Sequence, residues 1–416
     1  MQGNEVRYRV VGDVFEEHRI VGNGWKVGCR EHGKIEGTSR RRLCQCSRLR
    51  VAFLTAGLTP DIYIQGRRLD QRQLDLPGML GEPGIKDGAD EERASARVHN
   101  RGELHVHMNG AIPAPTILEI MADEATVLPS GFDFARDMVR LAPCQSLAEY
   151  LAPWQVLRLF PKKRQNLDRL AHAVAASLAE NSVRFVELRS SVLYLTGLQS
   201  CSPAHALERL IESTGEAARH HGIRRGLILT VTRGDYGASN LATLLQAYKD
   251  LGEPKDVVGL DLAGDEETAY PAELPSLFRE AKDRFGLGIT VHAGETGRAE
   301  NVRSAVELFH ADRIGHGTAA GRDPDLLDLL SAKGICVEVC PISNRLTGAV
   351  PRDESHPLQE FRRHGVPFVI CSDNPAIHQR GLADDQAVAM AEGLSICDMQ
   401  QQYEVAKRYS FMEGLN

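Results

Sequence analysis

Two histidines separated by one residue, His105 and His107, end a short apolar run, ELHVH at 103–107. If that run is a β-strand, alternate residues point to one face, so both imidazoles project together. Two imidazoles are costly to bury side by side unless something uses their lone pairs, and a metal ion does so. Taken alone, the pair fits exposed or hydrogen-bonded histidines better than a metal site.

Two more ligand-type side chains, His292 and Asp373, stand at the ends of other apolar runs and change that balance. Three neutral imidazole nitrogens and one carboxylate suit Zn²⁺. We therefore predict that zinc is bound by four residues: His105, His107, His292 and Asp373.

Glu295 and His316 are the candidates for moving protons and stabilising charge. Glu295 follows His292 by three residues in HAGE. A carboxylate beside a metal-activated water can accept a proton and return it. His316 lies in IGHGT, where glycines let the backbone pass close to a site, and a histidine there would orient the water. The alternatives are a surface glutamate and a structural histidine.

Short apolar runs alternate with longer amphipathic stretches from residue 101 onward. We count eight strand candidates, at 103–107, 183–190, 226–233, 257–264, 288–295, 312–317, 335–344 and 367–374. Strands that alternate with helices pair in parallel, and eight such units predict a (β/α)8 barrel. A doubly wound open sheet is the alternative, but no Gly-rich phosphate loop follows the first strand. Functional groups of a barrel gather at the C-terminal ends of its strands, where these candidates fall.

Six motifs occur in the order HVHMNGAIP, LDLAGDE, VHAGE, RIGHG, CPISN and SDNP. As a set they resemble the adenosine deaminase family of the amidohydrolase superfamily, over residues 101–416. The resemblance implies the same zinc ligands, with Glu295 as the proton shuttle and His316 as the group that orients the attacking hydroxide. It also implies that the backbone N–H of Gly264 meets a purine ring nitrogen.

Two positions depart from the family pattern. Asn109 stands where the family usually has an aspartate that helps to hold the sugar, and Asn374 stands where a second aspartate bonds purine N7. An asparagine at 374 still offers a donor to N7, but both negative charges are lost. The natural substrate is therefore the least determined feature.

The resemblance implies hydrolytic deamination of a 6-aminopurine, with water as co-substrate. The first candidates are adenosine and 2′-deoxyadenosine, which would give inosine or 2′-deoxyinosine and ammonia. Adenine, AMP, an N6-substituted form and an aminofutalosine-type compound remain alternatives, as does a purine-binding homologue without activity. Barrel hydrolases with two metals often carry a bridging lysine at strand four. DLAGDE contains none, which favours one zinc per chain. The H-x-E and P-C-x-x-C signature of another deaminase class is absent.

Composition narrows the partners further. The 416 residues carry a formal net charge of −7, which argues against a nucleic-acid backbone as the main partner. No apolar run approaches the roughly 20 residues that span a bilayer, and the first residues lack the apolar core of a signal peptide. The 9 cysteines are odd in number and irregularly spaced, which suits a reducing compartment. The cytoplasm is the expected location; the oligomeric state stays open.

Residues 1–100 fall outside the resemblance and are expected to form an N-terminal extension of unknown role, with partial disorder an open alternative. Two stretches in it have strand-like composition, at 6–15 and 50–58, and a basic run lies between them. The Gly-, Pro- and charge-rich stretch at 76–98 is typical of a linker or surface loop. Met79 is an alternative start of the chain.

Overall fold

The structure is a computed structural model that describes residues 98–415 and five short strands in the segment before them. In that segment β1 (His18–Val21), β2 (Gly24–Cys29) and β3 (Gly33–Gly37) form an antiparallel sheet, and β4 (Ile62–Ile64) pairs with β5 (Arg67–Leu69). The predicted strands at 6–15 and 50–58 lie outside the described residues. The chain divides into two compact units, Met1–Leu76 and Pro77–Asn416.

Eight parallel strands form the sheet of the second unit, each bonded to its neighbour in sequence order. They are β6 (Arg101–His107), β7 (Val183–Ser190), β8 (Arg224–Thr232), β9 (Val257–Ala263), β10 (Gly288–Ala293), β11 (Arg313–His316), β12 (Cys336–Val339) and β13 (Phe368–Ile370). A parallel bridge between Val106 and Asp373 joins the first strand to the residues after the last. The predicted (β/α)8 barrel is confirmed.

Helices surround the barrel, and five of them lie between β6 and β7: α1 (Ala114–Asp123), α2 (Phe134–Asp137), α3 (Leu147–Tyr150), α4 (Trp154–Leu157) and α5 (Arg164–Glu180). The others that the structure describes are α6 (Leu193–Gln199), α7 (Pro203–His220), α8 (Gly237–Asp250), α9 (Leu274–Phe285), α10 (Ala299–Glu307), α11 (Pro324–Lys333), α12 (Pro341–Leu346), α13 (Leu358–Arg363), α14 (Pro375–His378), α15 (Leu382–Ala391) and α16 (Ile396–Tyr409). Two 3₁₀ turns complete the set, Asn109–Ala111 and Thr318–Arg322.

Three strand predictions were too long at their C-terminal ends: the strands expected over 288–295 and 367–374 end at Ala293 and Ile370. The strand expected over 335–344 ends at Val339, and Pro341 begins the short helix α12. Proline suits the first helical position, because its fixed φ matches a helix and no intrahelical partner exists there for the missing N–H. The CPISN motif therefore belongs to a turn and a helix at the top of the barrel.

Helices α5 and α7 lie side by side on the outside of the barrel. In α5 the buried residues Leu167, Leu170, Ala171 and Val174 follow the three- and four-residue spacing of one helical face. Helix α7 begins at a Ser202 cap. The Ser213 hydroxyl donates to Oδ1 of Asp168 across the pair at 2.6 Å.

The barrel interior contains charged side chains as well as aliphatic ones. Arg313 is fully buried and meets Oε2 of Glu187 at 2.6 Å and Oε1 of Glu338 at 2.7 Å. Arg189 is likewise buried between Glu338 and Asp261. Each guanidinium meets two carboxylates, as a buried charge requires.

Two further features concern membrane-spanning helices and cysteines. None of the helices in the described part of the chain is long and apolar enough to span a membrane. Within residues 98–415 the cysteines are unpaired, as the irregular spacing predicts: Cys144, Cys201, Cys336, Cys340, Cys371 and Cys397.

Candidate active site

Four side chains from three distant parts of the sequence meet at the C-terminal end of the barrel. His105 and His107 end β6, His292 lies in β10, and Asp373 follows β13. One ligand atom from each lies within 4.8 Å of the others, and the group is mostly buried. The structure thus brings together the residues that the sequence predicts as metal ligands.

The Nε2 atoms of the three histidines and Oδ1 of Asp373 face one another, and hydrogen bonds do not satisfy all of them. Nε2 of His107 and Nε2 of His292 are 3.0 Å apart, and Oδ1 of Asp373 lies 3.4 Å from Nε2 of His107. Nε2 of His105 is buried without a hydrogen-bond partner. Burial also lowers the pKa of His107 to about 3, which keeps its lone pair available. This donor set fits a metal ion.

The outer nitrogens of two rings are held by carboxylates. Nδ1 of His105 lies 2.8 Å from Oε2 of Glu338, and Nδ1 of His292 lies 2.8 Å from Oδ1 of Asp261. A carboxylate must accept a hydrogen bond here, so Nδ1 carries the proton and Nε2 turns its lone pair inward. Although burial opposes it, Arg189 and then Arg313 hold the pKa of Glu338 well below its usual range.

Sequence reasoning missed Asp261 and Glu338. A signal was present, because each is a lone charge inside an apolar strand run, VVGLDLAG and ICVEVC. A charge in the interior of a buried strand needs a partner, and the histidines at neighbouring strand ends supply it.

Asp373 is oriented by two hydroxyl groups. The Ser343 hydroxyl donates to its Oδ2 at 2.6 Å and the Tyr150 hydroxyl does so at 3.2 Å, which leaves Oδ1 toward the histidines. Although burial opposes it, the neighbouring imidazoles of His105 and then His107 hold the pKa of Asp373 well below its usual range. The backbone of Asp373 has φ 57°, a left-handed conformation that few side chains other than Asn and Asp adopt readily.

Backbone hydrogen bonds tie the ligand-bearing strand ends together. The N–H of Asp373 donates to the carbonyl of His105 at 2.8 Å, and the N–H of His107 donates to the carbonyl of Asp373 at 2.9 Å. The buried Glu103 carboxylate accepts from the N–H groups of His105 and Ser372. The seam that closes the barrel is therefore also the frame of the site.

Glu295 lies beside the cluster, 9% exposed. Its Oε1 is 3.5 Å from Nε2 of His316. Burial, and then the nearby carboxylates of Glu266 and Asp373, raise the pKa of Glu295 well above its usual range. Glu266 also accepts from the N–H groups of Gly294 and Glu295 at 2.9 and 2.7 Å, which fixes the loop. A protonated carboxyl at this position can donate to a bound ring.

A hydrogen-bonded chain sets the tautomer of His316. The N–H of Leu358 donates to Nδ1 of His356 at 3.3 Å, so Nε2 of His356 carries the proton and donates to Oδ1 of Asn344 at 3.1 Å. The Asn344 amide then donates to Nδ1 of His316 at 3.0 Å. Burial keeps the pKa of His316 well below its usual range, so this neutral ring presents an Nε2–H to the site.

Glycine at 315 makes room for the cluster. A Cβ added there would lie 2.9 Å from Cε1 of His105, closer than real contacts of this kind. The glycines around His316 thus let strand β11 pass against the neighbouring imidazole, as the IGHGT motif predicts.

The residues expected to bind substrate are near the site and already bonded to protein. Asn109 donates to the carbonyl of Leu157 at 3.1 Å and accepts from the Tyr194 hydroxyl at 3.2 Å. Asn374 is buried and its amide donates to the Tyr150 hydroxyl at 3.0 Å, while its Oδ1 has no partner. Gly264 directly follows β9 with φ 95°.

The stretch at 141–160 contributes to the mouth of the site. Ser146, Leu147 and Ala148 line a cavity of about 410 Å³ that also contacts Glu295 and Asp265. Part of this stretch therefore lines the cavity next to Glu295. Sequence patterning could not place Tyr150, which lies in this stretch and reaches the cluster.

Comparisons with known proteins agree with this geometry. Residues 101–414 match the adenosine deaminase family. An adenosine deaminase of Clostridium botulinum (strain 657 / Type Ba4) is 31% identical over 306 residues, 72% of this chain and 91% of its own.

Two solved structures share the fold. A zinc-bound amidohydrolase from Burkholderia ambifaria has a TM-score of 0.69 and 21% identity over 82% of this chain and 92% of its own. The Arabidopsis N6-mAMP deaminase has a TM-score of 0.66 and 22% identity over 77% of this chain and 96% of its own. These two likenesses concern the fold. The family match and the 31% identical relative lead to one assignment: the chain belongs to the adenosine deaminase family and is a hydrolytic deaminase that acts on C–N bonds.

Proposed function

We propose that this protein binds one zinc ion at His105, His107, His292 and Asp373 and deaminates adenosine or 2′-deoxyadenosine. The observation that carries the proposal is the buried ligand cluster with Glu295 beside it. The neutral imidazoles and single carboxylate suit zinc. The zinc-bound amidohydrolase of similar fold supports the choice of metal.

Glu295 would carry the proton through the reaction. Zinc, when bound, would lower the pKa of a coordinated water toward about 7. Glu295, protonated because it is buried, donates to the ring nitrogen beside the reacting carbon and makes that carbon electrophilic. It next accepts a proton from the attacking water. The amino group gains a proton and leaves as ammonia. The oxygen of the water stays on the ring carbon in its place.

His316 would orient the water and stabilise charge that develops on its oxygen. Its Nε2–H points toward Glu295, and the chain through Asn344 and His356 keeps that tautomer. A donor held in place before the reaction costs no reorganisation when charge develops.

The charges at the mouth favour a nucleoside over a nucleotide. Asp265 and Glu267 line the cavity beside the protonated Glu295. Glu267 is paired with Arg298, and the lining Arg322 is paired with Glu354. A phosphate would meet these carboxylates without a free cation among the lining residues that the structure describes. Neither Asn109 nor Asn374 offers a positive charge to compensate.

Ammonia release from a substrate panel tests the proposal. We expect adenosine and 2′-deoxyadenosine to react fastest and AMP more slowly. Adenine and N6-substituted forms should react no faster than the two nucleosides. Metal-loaded Glu295→Gln is the matched control for contaminating deaminases. Release from AMP above that from adenosine would overturn the nucleoside assignment. No release from any 6-aminopurine, with metal bound, would overturn the proposed activity.

Asn374→Asp tests the ring contact. Asn374 is tied through the backbone to Asp373, and an amide donates to purine N7 at any pH, whereas a carboxylate must share a proton. Restoring the charge should raise the rate on adenosine and lower it on AMP. Tyr150→Phe removes the present partner of the Asn374 amide without adding charge, and its metal content is measured with its rates because it also removes a donor to Asp373. Unchanged rates with both substrates would remove Asn374 from the ring contact.

A further inference from the structure

A second group of three histidines lies on the outside of the barrel. His172 belongs to α5, His220 is the last residue of α7, and His221 caps that helix. Strand β8 begins only a few residues later, at Arg224, which places the group toward the end of the barrel where strands start. The candidate active site lies at the other end.

The spacing of these rings matches that of the active-site histidines. The ring centroids are 5.2 Å apart for His172 and His220, 5.7 Å for His172 and His221, and 4.8 Å for His220 and His221. The three corresponding distances among the predicted zinc ligands run from 4.6 to 5.4 Å. One nitrogen from each outer ring lies within 4.8 Å of the others.

A carboxylate stands beside the three rings. Oε2 of Glu216 lies 3.1 Å from Nε2 of His172. Glu216 precedes His220 by four residues, so both project from one face of α7. Imidazole nitrogens are among the ligands found at zinc sites, and a carboxylate bonded to a ligand ring helps to orient it.

The surroundings favour a cation over three separate protonated rings. The last carbonyls of α7 give its C-terminus a partial negative charge, which attracts a cation. One nitrogen of each ring lies within 4.8 Å of the others, so one ion can bind all three. Neutral rings with free lone pairs are what a metal requires.

We propose that His172, His220 and His221 form a second metal site, with Glu216 beside His172, which takes Zn²⁺ or a similar divalent transition-metal ion. It would link α5 to α7 from outside the barrel and take no part in the reaction. Because the rings are partly exposed and carry no buried carboxylates behind them, the ion exchanges readily with solvent.

Equilibrium dialysis of the full chain against Zn²⁺ tests the site. We expect two ions per wild-type chain, one of which a weak chelator removes with activity retained. The double variant His220→Ala/His221→Ala should keep one ion and full activity. His205→Ala is the matched control, because His205 is exposed on the same helix and pairs with Glu208, with no other histidine of the described chain around it. It should keep both ions.

The site is independent of the proposed reaction. His107→Ala should lose the barrel ion and retain the exchangeable one, so failure at one site is distinguishable from failure at the other. Zinc should also raise the Tm of His107→Ala, and this rise should vanish when His220 and His221 are replaced. A wild-type chain that binds a single ion, or a double variant that still binds two, would overturn the proposal.

Discussion

The two histidine clusters have nearly the same ring spacing and differ in what stands behind the rings. In the barrel, Glu338 and Asp261 each accept from an outer imidazole nitrogen inside a fully buried layer. On the surface, Glu216 touches a ring directly, and His220 is exposed. Spacing alone is thus not what makes a catalytic metal site.

The difference shows how burial fixes the orientation of an imidazole. A buried imidazole must satisfy both nitrogens, so a carboxylate behind one nitrogen determines which lone pair faces the metal. An exposed imidazole can turn to water instead. We therefore expect substitutions behind the rings to matter in the barrel and to matter little on the surface.

Removing a ligand should give the largest effect. His107→Ala should abolish tight metal binding and activity together, by more than the about 10–100-fold that follows loss of a residue behind a ligand. Metal content and ammonia release measure the two effects. His220→Ala should leave activity unchanged. An active His107→Ala enzyme would contradict the conclusion that the barrel cluster, unlike the surface cluster, is needed for the reaction.

Glu295→Gln should reduce turnover by at least ~10²-fold, the low end for general acid–base catalysis, with the barrel metal retained. The substitution keeps the shape and removes the proton carrier. Single-turnover rates of metal-loaded enzyme measure it. Near-normal turnover would mean that another group carries the proton. Glu295 would then not distinguish the barrel cluster from the surface cluster.

Glu338→Gln addresses the residues behind the rings. It should weaken metal binding in the barrel by about 10–100-fold, because an amide no longer holds the Nδ1 proton of His105 as a carboxylate does. Glu216→Gln, at the surface, should leave barrel affinity unchanged. Competition with a chromophoric chelator measures both. Equal effects of the two substitutions on barrel affinity would contradict the comparison.

Asn344→Asp keeps the shape of the side chain and removes the donor to His316. Nδ1 of His316 should then carry the proton, and kcat should fall roughly tenfold, the equivalent of ~1.4 kcal/mol, with KM and metal content unchanged. The ¹⁵N shifts of labelled His316 report the tautomer directly. A lower kcat with an unaltered tautomer would show that Asn344 does not act by setting the tautomer of His316.

Truncation should have the smallest effect. Both clusters lie in the unit Pro77–Asn416, and the family match begins at residue 101. A chain that starts at Met79 is therefore expected to fold, bind both ions and keep its activity. Insolubility or loss of turnover would show that the earlier residues support the barrel.

Much of the fold could be predicted because apolar runs report strands directly. The pair His105 and His107 could be placed on one face from strand geometry alone. Glu338 was within reach, since a lone charge in a buried strand demands a partner. Tyr150 and His356 were not, because a helix of only four residues carries Tyr150 and a loop carries His356, and neither shows a periodic pattern. The CPISN motif was misplaced because proline begins a helix directly after the strand.

The closing seam of the barrel has a consequence for how such a protein can diversify. The carbonyl of His105, the N–H of His107 and both backbone groups of Asp373 join the first strand to the last. A change that moved one of these proposed ligands would therefore also break backbone hydrogen bonds that close the barrel. The positions of the proposed ligands are therefore set by the same backbone bonds that close the barrel, whereas residues outside this seam can vary without breaking those bonds.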